Sequence, residues 1–263
     1  MNEITNQKIS RPHPRELFVA GLTPFELFHL HVTQLRDIVE QNEDLEDDGD
    51  ILSNAAAEVC LIGLVSFFEA FCKHHFAAVV NICPSLLERF SERRDQASVK
   101  LKDISLLLKN LEDQIGFVVA EQFDFGSARS INGIFLDLIG ISPFSKAEAS
   151  KYDQLLNDRN LLVHHAGIYT IRYASQKLSK NDLPGNLFQN SITIIRPTYF
   201  KWEKFLVGMV VKMTRATTDA LRIHAQNDGS VSPEKMLATE YLLMDIDISI
   251  AKIVEMGKSF RWK

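Results

Sequence analysis

Six consecutive residues bring together an arginine, an amide and an imidazole: Arg159-Asn160-Leu161-Leu162-Val163-His164. A guanidinium is charged at any ordinary pH, and its N–H groups form a fork that fits a carboxylate or a phosphate. An imidazole gains and loses a proton near neutrality. On a helix, Asn160 and His164 are four residues apart and therefore neighbours. Arg159 is the anomaly. At 100° per residue it falls near the centre of an apolar stripe made by Tyr152, Leu155, Leu156, Leu162, Val163 and Ala166. Asp153, Asn157, Asn160 and His164 form a polar stripe on one flank, and Gln154, Asp158 and His165 read as solvent-facing. A lone charge inside an apolar seam costs far more than one packed residue contributes. Either a carboxylate meets Arg159, or the seam opens there into a cleft where guanidinium, amide and imidazole converge. Glu69, with Lys73 one turn on and Glu58 on nearly the same flank, is the carboxylate within an earlier helix. Burial alone favours the structural Arg159–Glu69 pair.

The elements that must position these groups are helices. Ser145 and Glu148 fit a capping box, and Gly167 stands where a left-handed residue ends a helix, so the spacing predicts a helix over 146–166. A long helix from Asn54 to Ile82 carries Leu61, Leu64, Val65, Phe68, Phe71, Cys72 and Val79 at three- and four-residue intervals, with Pro84 at its end. Before it come a helix over 24–42 and an acidic, solvated linker from Glu40 to Asp50. After it, a charged stretch, Glu88 to Lys102, leads into a helix through LKDISLLLKNL, and Ser127 or Ser130 caps a short helix ending near Gly140. IYTIRY from Ile168 and SITII from Ser191 are predicted to pair as a small ribbon. Thr198 is expected to cap a helix reaching about Ala225, and Ser232 with Pro233 to start a last helix ending near Gly257. The fold class is therefore all-α, with at most one small two-stranded element. The expected organisation is an N-terminal extension over 1–50, a bundle over 51–226 and a C-terminal helix over 227–263.

Composition narrows the function classes. The net charge of −5 excludes a broadly basic surface but not a local basic site. Arg89, Arg93 and Arg94 are the candidates for such a site. Cys60, Cys72 and Cys83 are too few and too scattered for a disulfide framework, and Cys60 and Cys72, in an apolar helical run, read as small core residues in a reducing compartment, which implies a cytoplasmic setting. Residues 1–15 lack the apolar core of a secretory leader, and the apolar run from Val59 to Phe68 is too short and interrupted for a bilayer, so no membrane association is expected. No Cys/His spacing matches a zinc site, His29/His31 and His74/His75 are poor ligand pairs, and no phosphate-binding glycine loop or nucleophile elbow occurs. His75 reads as a core histidine. Trp202 and Trp262 are too far apart in sequence to suggest a base-stacking platform.

LLNDRNLLVHHAGI contains an Arg followed directly by Asn and, four residues later, by His; it resembles the R-x(4–6)-H signature of the HEPN superfamily. The position near a helix end, Gly167 just beyond, and the earlier helix with SFFEAF at Ser66 to Phe71 are similar to the setting of that signature, over roughly residues 50–225. The resemblance implies a HEPN-like helical bundle and metal-independent RNA cleavage, in which a ribose 2′-hydroxyl attacks the adjacent phosphorus. By that implication His164 is the general acid or base, Arg159 the phosphate clamp, Asn160 the orienting group and Glu69 a support for Arg159. It further implies no cofactor, a homodimer with a composite active site, a toxin or defence role, and a protein inhibitor or activator. The rival is a non-catalytic HEPN-like module that binds RNA, a nucleotide or a protein, with Arg159 kept as a structural pair. Leu161, on the otherwise polar side of its helix, suggests a surface covered by a second copy.

Overall fold

The computed structural model describes residues 13–47, 50–94, 111–178, 184–229 and 231–243. Two short 3₁₀ turns, Pro14–Leu17 and Val19–Gly21, lead into α1 (Pro24–Gln41). Thr23 caps α1: its hydroxyl accepts from the Glu26 amide at 3.1 Å and its own amide donates to Glu26 Oε2 at 2.7 Å. The acidic segment expected as a plain linker instead forms a tight antiparallel hairpin, β1 (Leu45–Asp47) with β2 (Asp50–Ser53). Asn54 then caps α2 (Ala55–Ile82) through the Ala57 amide, 2.8 Å from its Oδ1.

α2 is the axis of the fold. Leu61, Leu64, Val65, Phe68, Cys72, Phe76 and Val79 are wholly buried, and α1 and two later helices, Leu111–Ala120 and Arg196–Asp228, pack along it. The run that looked too short for a bilayer belongs to this continuous helix, which is long and apolar enough to cross a membrane by length and composition alone. In this fold the same apolar surface is met by other helices: Phe28 of α1 lies edge-on to Phe68 at 6.5 Å.

Next come α3 (Leu86–Arg93) and α4 (Leu111–Ala120). The LKDISLLLKN residues at 101–110 lie outside the described residues. α4 and α2 approach closely at Gly116, whose amide donates to Asn81 Oδ1 at 2.8 Å while Asn81 Nδ2 donates to the Leu17 carbonyl at 3.1 Å. A Cβ at Gly116 would lie 2.2 Å from the Ala77 carbonyl oxygen. Gly116→Ala is therefore expected to lower stability by about 2 kcal/mol or more, since two backbones must part. Urea denaturation checks this, and an unchanged midpoint would contradict the close approach.

Ser127, not Ser130, caps α5 (Ala128–Ile139): its Oγ accepts from the Ser130 amide at 3.1 Å. The remaining helices are α6 (Lys146–His165), α7 (Ile171–Lys177), α8 (Arg196–Asp228) and α9 (233–243). The C-terminal helix beyond residue 243 lies outside the described residues. The ribbon predicted from IYTIRY reduces to one bridge, Ile168 to Ser191. From Ile171 the segment turns helical instead, because Thr170 Oγ1 takes up the Tyr173 amide at 3.1 Å as an N-cap. Thr198 is likewise not a cap, since α8 starts two residues earlier with Ile195 at the N-cap and Pro197 in the first turn.

The described chain is thus all-α apart from the hairpin. The three cysteines are buried and free, as the apolar setting of Cys60 and Cys72 predicts for those two. His75 is buried with Nε2 2.5 Å from Thr217 Oγ1, and burial depresses it to about 3, so it is a neutral core histidine.

Candidate active site

α6 carries the site, and its ends are well defined. At its start Ser145 Oγ accepts from the Glu148 amide at 3.3 Å and Glu148 Oε2 accepts from the Ser145 amide at 2.8 Å. Lys212 of α8 also donates to Glu148 Oε2, at 2.6 Å. Burial works against the Glu148 charge, but these hydrogen bonds prevail and hold its carboxyl down at about 2. At the far end Ala166 and Gly167 have φ of 50° and 79°, and the Gly167 amide returns to the Leu161 carbonyl at 3.1 Å. Two successive left-handed residues are what turn the chain back along its own helix, and glycine adopts that region without strain.

Aromatic packing anchors the first half of α6 on α2. The Tyr152 ring lies 5.3 Å from Phe68 and 5.3 Å from Phe144. About two turns later, Arg159 reaches α2 and meets Glu69: Nη2 donates to Glu69 Oε1 at 2.9 Å. Nη1 donates to Asn160 Oδ1 at 3.0 Å. The two side chains of the ion pair are 21% and 26% exposed, so the pair sits at the rim of the core. A guanidinium has five N–H bonds. Two are used here, Nε is buried without a partner among the described residues, and one N–H remains on each terminal nitrogen. Burial raises the Glu69 carboxyl above its ordinary value, and Arg159 pulls it back in part. The Tyr152 hydroxyl, also buried and without a described partner, is pushed up by burial and by the nearby Cys72 and Glu69.

Asn160 and His164 are exposed on the flank next to Arg159. The structure therefore brings Glu69, Arg159 and Asn160 into one hydrogen-bonded row, with His164 one turn beyond Asn160 on open surface. It does not bring Arg89, Arg93 or Arg94 into that row. Arg94 Nε donates to Asp137 at 2.7 Å, with its guanidinium over Phe90 and Phe123. Arg89 and Arg93 are exposed among Glu88 and Glu92.

Four expectations about α6 are corrected. Val163 and Ala166, placed in the core stripe, are exposed, Val163 to 45%. Leu161, read as a surface for a second copy, is buried within its own chain. Asp158, read as solvent-facing, is only 6% exposed and accepts a hydrogen bond from the Tyr173 hydroxyl at 3.0 Å. Asp158 is covered because Tyr173 of α7 reaches back to it, and no periodicity within α6 reports that.

Burial raises the Asp158 carboxyl, against the opposing pull of the Tyr173 hydrogen bond and of Lys177 and Lys201. A carboxyl raised in the folded chain stays protonated longer there than when unfolded, so stability falls as pH rises from its ordinary 3.8 through the folded value. Asp158→Asn keeps an acceptor for Tyr173 and removes the buried charge. It is expected to melt higher than the wild type at pH 8, with the gap closing towards pH 4. Circular dichroism on heating reads this, and a variant melting lower at both pH values would reverse the assignment.

Among the described residues, no three His, Cys, Asp or Glu side chains gather as a metal-binding group. Comparison with known protein families, with curated proteins and with solved structures returned no match to this chain.

Proposed function

We propose that the protein is an endoribonuclease of the HEPN type, cleaving RNA without a metal ion through Arg159, Asn160 and His164. The observation that carries this reading is the state of Arg159. Its guanidinium is pinned by Glu69 and Asn160 at the edge of the core while two N–H bonds are left over, and an exposed imidazole, His164, follows one turn beyond Asn160 on the same helix. A fork held rigid in that way is prepared for the equatorial oxygens of a phosphate as charge grows on them.

In the reaction the 2′-hydroxyl oxygen bonds to phosphorus, its proton passes to a base, and the 5′-oxygen leaves with a proton from an acid. One His164 serves one of these transfers, so the second comes from another copy, and the active species is a homodimer. Val163, exposed between Asn160 and His164 on the same helix end, gives that surface some apolar character. A toxin or defence role, held in check by a protein inhibitor or released by an activator, follows from the same resemblance.

The products test the reading. Incubation with total RNA in EDTA is expected to give fragments ending in 2′,3′-cyclic phosphate and 5′-hydroxyl, from a protein that sediments as a dimer. Intact RNA, or products with 5′-phosphate, would refute it.

A second reading is favoured by one observation, the Arg159–Glu69 ion pair itself. In a non-catalytic module the pair ties α6 to α2, and the exposed Asn160 and His164 form part of a binding surface.

A further inference from the structure

The strongest unassigned surface lies by the N-terminal half of α6, where it faces α8. A groove of about 680 Å³ runs there, lined by Glu148, Lys151, Lys201, Lys204, Phe205 and Met209, among others. Phe205 and Met209 give it an apolar floor, and the three lysines give it a rim. Glu148, the acid of the groove, is taken up by Lys212 and by the Ser145 amide. Among the described residues no carboxylate pairs with Lys151, Lys201 or Lys204. The Lys151 ammonium instead lies 4.5 Å from the centre of the Phe205 ring, and that of Lys201 lies 5.3 Å from Trp202. Asp158 is near enough for Lys201 and Lys177 to pull its carboxyl down, but it forms no ion pair with either among the described residues.

This concentration of positive charge stands on a chain whose net charge is −5. The arginine cluster expected to contact RNA lacks that character, because Arg94 is committed to Asp137 and Arg89 and Arg93 are interleaved with Glu88 and Glu92.

We infer that the groove between α6 and α8 binds the phosphate backbone of single-stranded RNA, with Lys151, Lys201 and Lys204 as its contacts. The choice of polymer rests on the ribonuclease reading above. The geometry of the site does not: a lysine rim matches successive phosphates, and an apolar floor with an aromatic ring accepts a base from a strand that is not paired. Lys151 precedes Arg159 by eight residues, about 12 Å along the helix axis. The groove is therefore a positioning site separate from the reacting groups, and it holds substrate on the same rigid helix that carries them.

The test is fluorescence anisotropy with a labelled single-stranded RNA whose riboses are 2′-O-methylated. That probe lacks the attacking hydroxyl, so binding is read apart from cleavage. The wild-type protein is expected to bind it. Lys151→Gln/Lys201→Gln/Lys204→Gln, which keeps the stems over the rings, should bind about tenfold more weakly, and the slope of log K against log salt should fall by about 2. The corresponding triple Lys→Arg variant should retain affinity, and the single Lys201→Gln and Lys204→Gln variants should each lose about threefold. Three results would overturn the assignment: a glutamine triple variant that binds like wild type, a larger loss in Arg89→Gln/Arg93→Gln, or full displacement of the RNA by inorganic pyrophosphate, which marks a site for a small anion. Probe binding at the lysines without cleavage of natural RNA would overturn the nuclease reading alone. Cleavage that survives in the glutamine triple variant, with probe binding unchanged, would overturn the groove alone.

Discussion

Replacing His164 with alanine is expected to lower the rate of RNA cleavage by about 10²–10⁴-fold, the usual contribution of a positioned acid or base. The same change should leave stability within about 0.5 kcal/mol, because His164 is an exposed side chain in the last turn of α6. The combination is diagnostic, since a scaffold residue of that exposure would alter neither quantity. His165 provides the comparison. It is also exposed in the last turn, but five residues from Asn160 it falls about 140° away from it around the helix. His165→Ala should cleave RNA at a rate close to wild type. Equal losses in the two variants would indicate that the helix end, not a particular imidazole, is what matters. Asn160→Ala is expected to fall between them, about tenfold down, because its Oδ1 holds Arg159 Nη1 without touching the transferred proton.

The helix that bears these residues was legible in the sequence because its signals are local. A capping box needs only Ser145 and Glu148, and a left-handed stop needs only Gly167. The Arg159–Glu69 contact was legible for a different reason: a charge on an apolar stripe demands a partner, and few carboxylates lie on the right helix. The second half of α6 was misread because a helical wheel assumes one burying direction. The buried residues of α6 are Tyr152, Leu155, Asp158 and Leu161, spaced by threes. Each step of three turns back by about 60°. The covered face therefore winds around the helix, starting on α2 and ending under the returning chain. Val163 lost its cover and Asp158 gained one for that single reason. The return itself depends on Thr170 capping α7 and on the Ile192 amide reaching the Gly167 carbonyl at 2.9 Å. IYTIRY reads as a strand by composition, and only those capping contacts make part of it a helix. The lysine groove was invisible for a related reason, since Lys151 on α6 and Lys201 and Lys204 on α8 are some fifty residues apart and meet only through packing.

Arg159→Met separates the structural role of the arginine from its chemical one. Methionine fills much of the same volume but leaves Glu69 without its cation. For a fully buried pair the loss of one partner costs about 3–5 kcal/mol, and at a rim where each side chain is about a quarter exposed about 2 kcal/mol is expected at pH 8. That cost depends on pH. Burial already raises the Glu69 carboxyl, and removing Arg159 takes away the group that lowers it. The folded variant then holds the Glu69 proton over a wider range than the unfolded chain, so its stability falls as pH rises from the ordinary 4.5 through the folded value. Urea denaturation should accordingly show the variant close to wild type at pH 4.5 and well below it at pH 8. Adding Glu69→Leu removes the stranded carboxylate and is expected to restore stability to within about 1 kcal/mol of wild type. Cleavage should behave otherwise. Arg159→Met is expected to lose about 10²–10³-fold in rate, the usual loss when one preorganised donor to a developing charge is removed, and the double variant should recover none of it. A double variant that regains both stability and cleavage would make Arg159 a strut whose only partner is Glu69. A stable double variant that remains inactive would leave the phosphate as the partner that the two spare N–H bonds of Arg159 are held to meet.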